Sequence, residues 1–127
     1  MKYIKETSKT VDQAVADLEK SIIANQFGVM HIHNLHATLN KKGVPFEQQC
    51  QVLEVCNPHQ AARVLKDDME MNMALPCRVS VYEKDGNNYI GMISPKAMLS
   101  QLSDSEALKE VAEEVEAVIS KAIDEAV

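Results

Sequence analysis

The sequence predicts an α+β fold: a two-layer sandwich, mainly antiparallel sheet, with helices packed on one face. Three observations carry this. Short strand-like runs occupy 2–6, 27–35, 49–56 and 75–94; stretches of helical period occupy 8–26, 59–71 and 103–127. Helices join some of these strands, whereas a hairpin signal, Asp85-Gly86, joins others. The expected order is β-α-β-β-α-β-β-α. Helices on one side leave the other sheet face for solvent, a ligand or a second subunit.

The elements follow in order. "KYIKE" reads as a short first strand. In the helix after it, Thr10 and Gln13 fit a capping box, and Val11, Ala14, Val15, Leu18 and Ile22 recur at helical spacing. In "FGVMHIHNL", alternation puts Met30 and Ile32 on the core face and Val29, His31 and His33 on the other. "HATLNKKGVPFEQ" is a connection with one helical turn before Gly43, and Leu35 and Leu39 are spaced to reach the core. In "QCQVLEVC", Cys50, Val52, Glu54 and Cys56 share one face and Gln51, Leu53 and Val55 the other.

Asn57, Pro58 and Gln60 are good N-cap, N1 and N3 residues for a helix burying Ala61, Ala62, Val64 and Leu65. The hairpin over 75–94 alternates Cys77, Val79 and Val81 with Arg78, Ser80 and Tyr82, around a loop slightly longer than two residues. "PKAMLSQL" is a short helix or turn. Ser103 with Glu106 caps the last helix, whose stripe is Leu108, Val111, Ala112, Val115, Val118, Ile119, Ala122 and Ile123.

The chain's 127 residues suit a single domain, 1–127, with a real core. A net charge of -6 and a pI of about 5.2 argue against nucleic-acid binding, because the chain would repel phosphate. No run approaches the ~18 apolar residues of a membrane span. "MKYIKETSKT" lacks the apolar core of a signal peptide, so the expectation is a cytoplasmic protein without membrane contact. The odd count of cysteines, Cys50, Cys56 and Cys77, reads as reduced thiols.

The run "LEVCNPHQAARVLKDD...ALPCRVSVYEKDGNNYIGMISP", together with "HNLHATLNKKG" before it, resembles the domain of unknown function 302 family. The marks are a strand ending in Asn-Pro, a helix with small residues, and Leu-Pro opening a hairpin. The resemblance covers essentially the whole chain. It implies a small two-layer α+β domain, a mainly antiparallel sheet and a homodimer, and no known reaction. Many members carry glycine before the Asn-Pro, so this chain resembles a cysteine-bearing variant.

Three chemistries are open to these residues. His31 and His33, about 6–7 Å apart on one strand face, suit zinc or copper, with Glu54 adding a carboxylate and His36 folding back from the next turn. Met69, Met71 and Met73, at spacing two, are a weaker thioether set for copper. Cys56 precedes a helix N-terminus that would stabilise its thiolate, with His59 in the first turn and Cys77 as resolving partner. Arg78, Ser80 and Tyr82 share a face that would recognise an anion or small polar ligand, and Tyr82 and Tyr89 would supply interface aromatics. No G-x-S-x-G, G-x-x-x-x-G-K or G-x-G-x-x-G occurs, which leaves hydrolase and nucleotide-binding readings without support. The leading expectation is a non-enzymatic homodimer binding a small ligand or a metal through His31, His33, Glu54 and Arg78. A thiol enzyme built on Cys56 and a purely structural interaction domain are the alternatives.

Overall fold

A computed structural model describes the chain from Met1 to Val127. Five strands form one sheet in the order β1-β5-β4-β3-β2, with every neighbouring pair antiparallel. They are β1 (Lys2–Thr7), β2 (Gly28–Asn34), β3 (Cys50–Cys56), β4 (Cys77–Lys84) and β5 (Asn87–Ile93). The helices are α1 (Val11–Ala24), α2 (Leu35–Lys41), α3 (Pro58–Asp67), α4 (Pro95–Leu102) and α5 (Glu106–Ala126), with a 3₁₀ turn over Met69–Ala74. This is the α+β architecture expected from the alternating periods.

One apolar cluster lies between the sheet and the helices. Leu53, Val55, Val79, Val81 and Ile90 point into it from the strands. Leu18 and Ile22 of α1 and Leu108, Ile119 and Ile123 of α5 close over them. The far end of α5 is tied to the first third of the chain. Lys9 Nζ donates to the Ala126 carbonyl at 2.7 Å, and Ser21 Oγ donates to the Ala122 carbonyl at 2.7 Å. Tyr3 donates its hydroxyl to Asp124, and this bond to a carboxylate pushes the phenol up to about 12.

Most of the expected alternation holds, and its exceptions have physical causes. In β3, Gln51, Leu53 and Val55 face inward and are buried. In β4, Val79 and Val81 do the same. In β2 the register slips between Val29 and His31, a bulge that leaves Met30 without a partner. Val29 therefore pairs with Val55 on the inner face, and Met30 is 65% exposed. The expectation that Met30 is core and that Val29 shares the histidine face is corrected by that one extra residue. His31 and His33 lie beyond the bulge and keep a common outer face, opposite Glu54 and Val52.

The connection after β2 is a full short helix, α2, capped by Asn34, which accepts from the Ala37 amide. It buries no residue, so Leu35 does not plug the core. In α3 only Val64 is fully buried; Ala61 and Leu65 are half-buried and Ala62 is exposed. The hairpin loop is exactly two residues long, because Lys84 pairs with Asn87. Asp85 and Gly86 take φ of +53° and +80°, as a tight turn between twisted strands requires. The cap of α5 is Ser105, which accepts from the Leu108 amide, in place of Ser103. Ser103 ends α4 instead, donating its amide to the Leu99 carbonyl.

Candidate functional site

The helix-free face of the sheet brings together the polar residues singled out above. Antiparallel register sets His31, Glu54 and Arg78 in one row across β2, β3 and β4. The next row is His33, Val52 and Ser80, and Gly91 of β5 continues it. Tyr82 sits further along, its ring stacked on Tyr89 at 5.6 Å between centroids. Gly91 suits the close approach of β1: a β-carbon there would lie 3.0 Å from the Ile4 side chain and 3.2 Å from the Tyr3 carbonyl oxygen, so β1 would have to give way.

The row is wired unequally. His33 Nε2 donates to Glu54 Oε1 at 2.6 Å, while the His31 ring stands edge-on to His33 with centroids 4.3 Å apart. The His33 bond holds the Glu54 carboxyl below its usual range, and the charges of Arg78 and His31 add to the effect. Glu54 is thus committed to His33. Arg78, its opposite neighbour on β4, enters none of the chain's four salt bridges. Its guanidinium is exposed and free.

Glu54 also fixes a pH signature. A carboxyl held low in the fold adds stability above its unfolded pKa of about 4.3, and that stability is lost as pH falls through the lower folded value. Glu54→Gln is therefore expected to flatten the fall in melting temperature between pH 5 and pH 3. Parallel profiles for variant and wild type, followed by circular dichroism, would count against the pair.

The other candidates lie apart. His36 is on α2, where its Nδ1 donates to the Gln48 carbonyl at 3.1 Å, away from the outer row. No three His, Cys, Asp or Glu side chains converge at metal-ligating spacing. In this arrangement His33 is hydrogen-bonded to Glu54, and His31 touches the pair only through its ring against His33. Met69, Met71 and Met73 belong to the 3₁₀ turn; Met71 is buried, and Met69 and Met73 are exposed.

Burial pushes the Cys56 thiol up, opposite to the lowering expected at a helix N-terminus, and His59 supplies nothing to offset it. Cys77 is more deeply buried and rises to about 11, the neighbouring Cys56 adding to the effect. All three cysteines are free thiols.

Sequence periodicity missed the feature beside Arg78. A groove of about 440 Å³ runs along the end of the outer face, from Val52 and Ser80 to Met73, Leu75 and Met98. Arg78 is its only charged lining residue. Its walls come from the 3₁₀ turn and the start of α4, stretches that read as a helix tail and a turn. The signal available was the pair of prolines, Pro76 and Pro95, bracketing the hairpin.

The comparisons with known proteins agree with this architecture. The model of the family described as "Domain of unknown function DUF302" matches residues 3–126. The chain belongs to the DUF302 family. A solved DUF302 relative, described as an uncharacterized conserved protein from Bacillus stearothermophilus, superposes with a TM-score of 0.93 at 32% identity. That match covers 99% of this chain and 98% of the relative. No curated protein matches this DUF302 chain. No helix in it is long and apolar enough to cross a membrane.

Proposed function

We propose that this DUF302 domain is a non-enzymatic binding module that takes a small, largely apolar anion on its outer sheet face, with Arg78 as the anchor. The observation that carries this is the groove: eight of twelve lining residues are hydrophobic, and the one charge among them is an unpaired guanidinium. Arginine offers a planar fork matched to a carboxylate, and the apolar walls of the groove offer contact to the rest of the ligand. Ser80, beside it in the groove, supplies a hydroxyl to the same anionic group. The His33–Glu54 bond supports the reading, because Glu54, the carboxylate paired across the strands with Arg78, is hydrogen-bonded to His33 and forms no salt bridge with the arginine.

Calorimetric titration with octanoate, methyl octanoate and octylammonium tests this. Saturable binding of octanoate, with neither of the other two binding, is the expected result. Equal binding of all three, or none, overturns the reading.

Homodimerisation belongs to the same proposal. Ile4 and Ile93 are exposed on the outer face beside the Tyr82–Tyr89 stack, a surface that a second copy would cover. Sedimentation equilibrium at tens of micromolar is expected to return twice the chain mass, and a monomer there removes the dimer.

A further inference from the structure

The loop between α2 and β3 holds apolar side chains out in water. Every residue from Lys41 to Gln48 is exposed, Val44 and Phe46 included. Val-Pro-Phe at one loop tip is an apolar patch rather than a scattered residue. The loop is nonetheless tied down. Gly43 takes a φ of +82° and turns the chain off the end of α2, and the Val44 amide donates to the Leu39 carbonyl at 2.9 Å. The Asn40 side chain clamps Phe46, donating to its carbonyl at 2.9 Å and accepting from its amide at 3.2 Å. Pro45 fixes one more dihedral. The side chains are thus presented in one shape, which leaves little ordering entropy to lose on docking. Glu47, next to Phe46, is exposed and enters none of the four salt bridges.

We infer that the groove beside Arg78 receives the Val44–Glu47 loop of a second copy of this chain, with Val44 and Phe46 against the apolar walls and Glu47 on the guanidinium. The match is one of chemistry: an apolar stretch beside one unpaired carboxylate meets an apolar groove with one unpaired arginine. It is also one of placement. Cys50, into which the loop leads, pairs with Tyr82, whereas Arg78 pairs with Glu54, roughly 13 Å further along β3 at the strand rise. Loop and groove therefore lie toward opposite ends of the sheet, and the loop does not reach its own groove. A half-turn about an axis crossing the strands sets each copy's loop end over the other's groove end, giving two identical contacts in a closed dimer. This rests on the anion-binding role of Arg78 and names the partner of that site: the loop carboxylate and a small anion compete for one guanidinium.

Exchanging the charges tests the contact between copies, read by sedimentation equilibrium. Glu47→Arg and Arg78→Glu each set like charges across the contact, and each alone is expected to raise the dimer dissociation constant at least tenfold. An equimolar mixture of the two variants restores opposite charges at both contacts and is expected to dimerise about as tightly as wild type. Both side chains are exposed and unpaired, so each variant is expected to keep the wild-type circular dichroism. Single variants that dimerise like wild type, a mixture as weak as its components, or a wild-type monomer at tens of micromolar overturns the loop contact. Phe46→Ala is a second readout, expected to weaken the dimer at least tenfold by removing buried apolar area, and wild-type dimerisation of this variant also overturns the contact. Octanoate separates this inference from the small-anion reading. At saturation it is expected to split the wild-type dimer. Saturable octanoate binding that leaves the dimer intact overturns the loop contact and leaves the Arg78 anion site standing. Absence of octanoate binding to wild type and to Phe46→Ala alike removes the anion site, and the charge exchange then decides the loop contact alone.

Discussion

Arg78→Gln is expected to weaken octanoate binding by roughly tenfold to a hundredfold at pH 7, since a hydrogen bond to a charged group is worth about 1.5–3 kcal/mol. Glutamine retains a donor and much of the stem but loses the charge and the bidentate fork, so the loss isolates the ion pair. Stability should hardly move, because Arg78 is exposed and makes no salt bridge. Arg78→Lys is the sharper comparison. It keeps the charge as a point, and a loss intermediate between wild type and Arg78→Gln is expected where the carboxylate is held by both nitrogens. Raising the salt concentration should weaken wild-type binding and leave the Arg78→Gln residue of affinity nearly unchanged. Calorimetry showing Arg78→Gln and wild type within twofold of each other would place the anion elsewhere.

The alternation of residues made much of this face legible in the sequence. His31 and His33, Glu54, and Arg78 with Ser80 each take one side of a strand by period two, and their strands pair as neighbours. What alternation does not carry is a change of count. The bulge at Met30 adds one residue, which returns Val29 to the core and exposes Met30, and no residue type there announces it. Capping has a similar ambiguity: Ser103 and Ser105 are both good caps, and α4 uses the first at its C-terminal end, leaving the second to α5. The groove is harder still, because Val52, Met73 and Met98 are far apart in sequence and meet only when the 3₁₀ turn and α4 fold against the same sheet end. At Cys56 two effects compete: its place before a helix favours a thiolate and burial opposes it, and only the first can be read from the sequence, because burial is a property of the packed chain.

The two faces of β3 give the second large effect. Leu53 is fully buried between Ile32 and Val79 on the inner face, and Leu53→Ala is expected to cost about 3 kcal/mol, within the range for truncating a core leucine. In a domain of this size that lowers the melting temperature by roughly 10 °C. Val52, the next residue, looks outward between His33 and Ser80 and is only half-buried in the single chain. Val52→Ala is expected to cost about 1 kcal/mol or less, in line with the smaller apolar area it removes from water. The contrast decides what lies over the outer face. A second copy seated there would bury Val52 as well, so its truncation would cost more at high protein concentration, where the dimer is populated, than at low concentration. A ligand in the groove would do so only when added, since Val52 lines the groove itself. Urea melts of the two variants at micromolar and at hundredfold higher concentration, with and without octanoate, separate these cases. A Val52→Ala cost matching that of Leu53→Ala under every condition would mean that the face is covered from within the chain, against the two-layer arrangement.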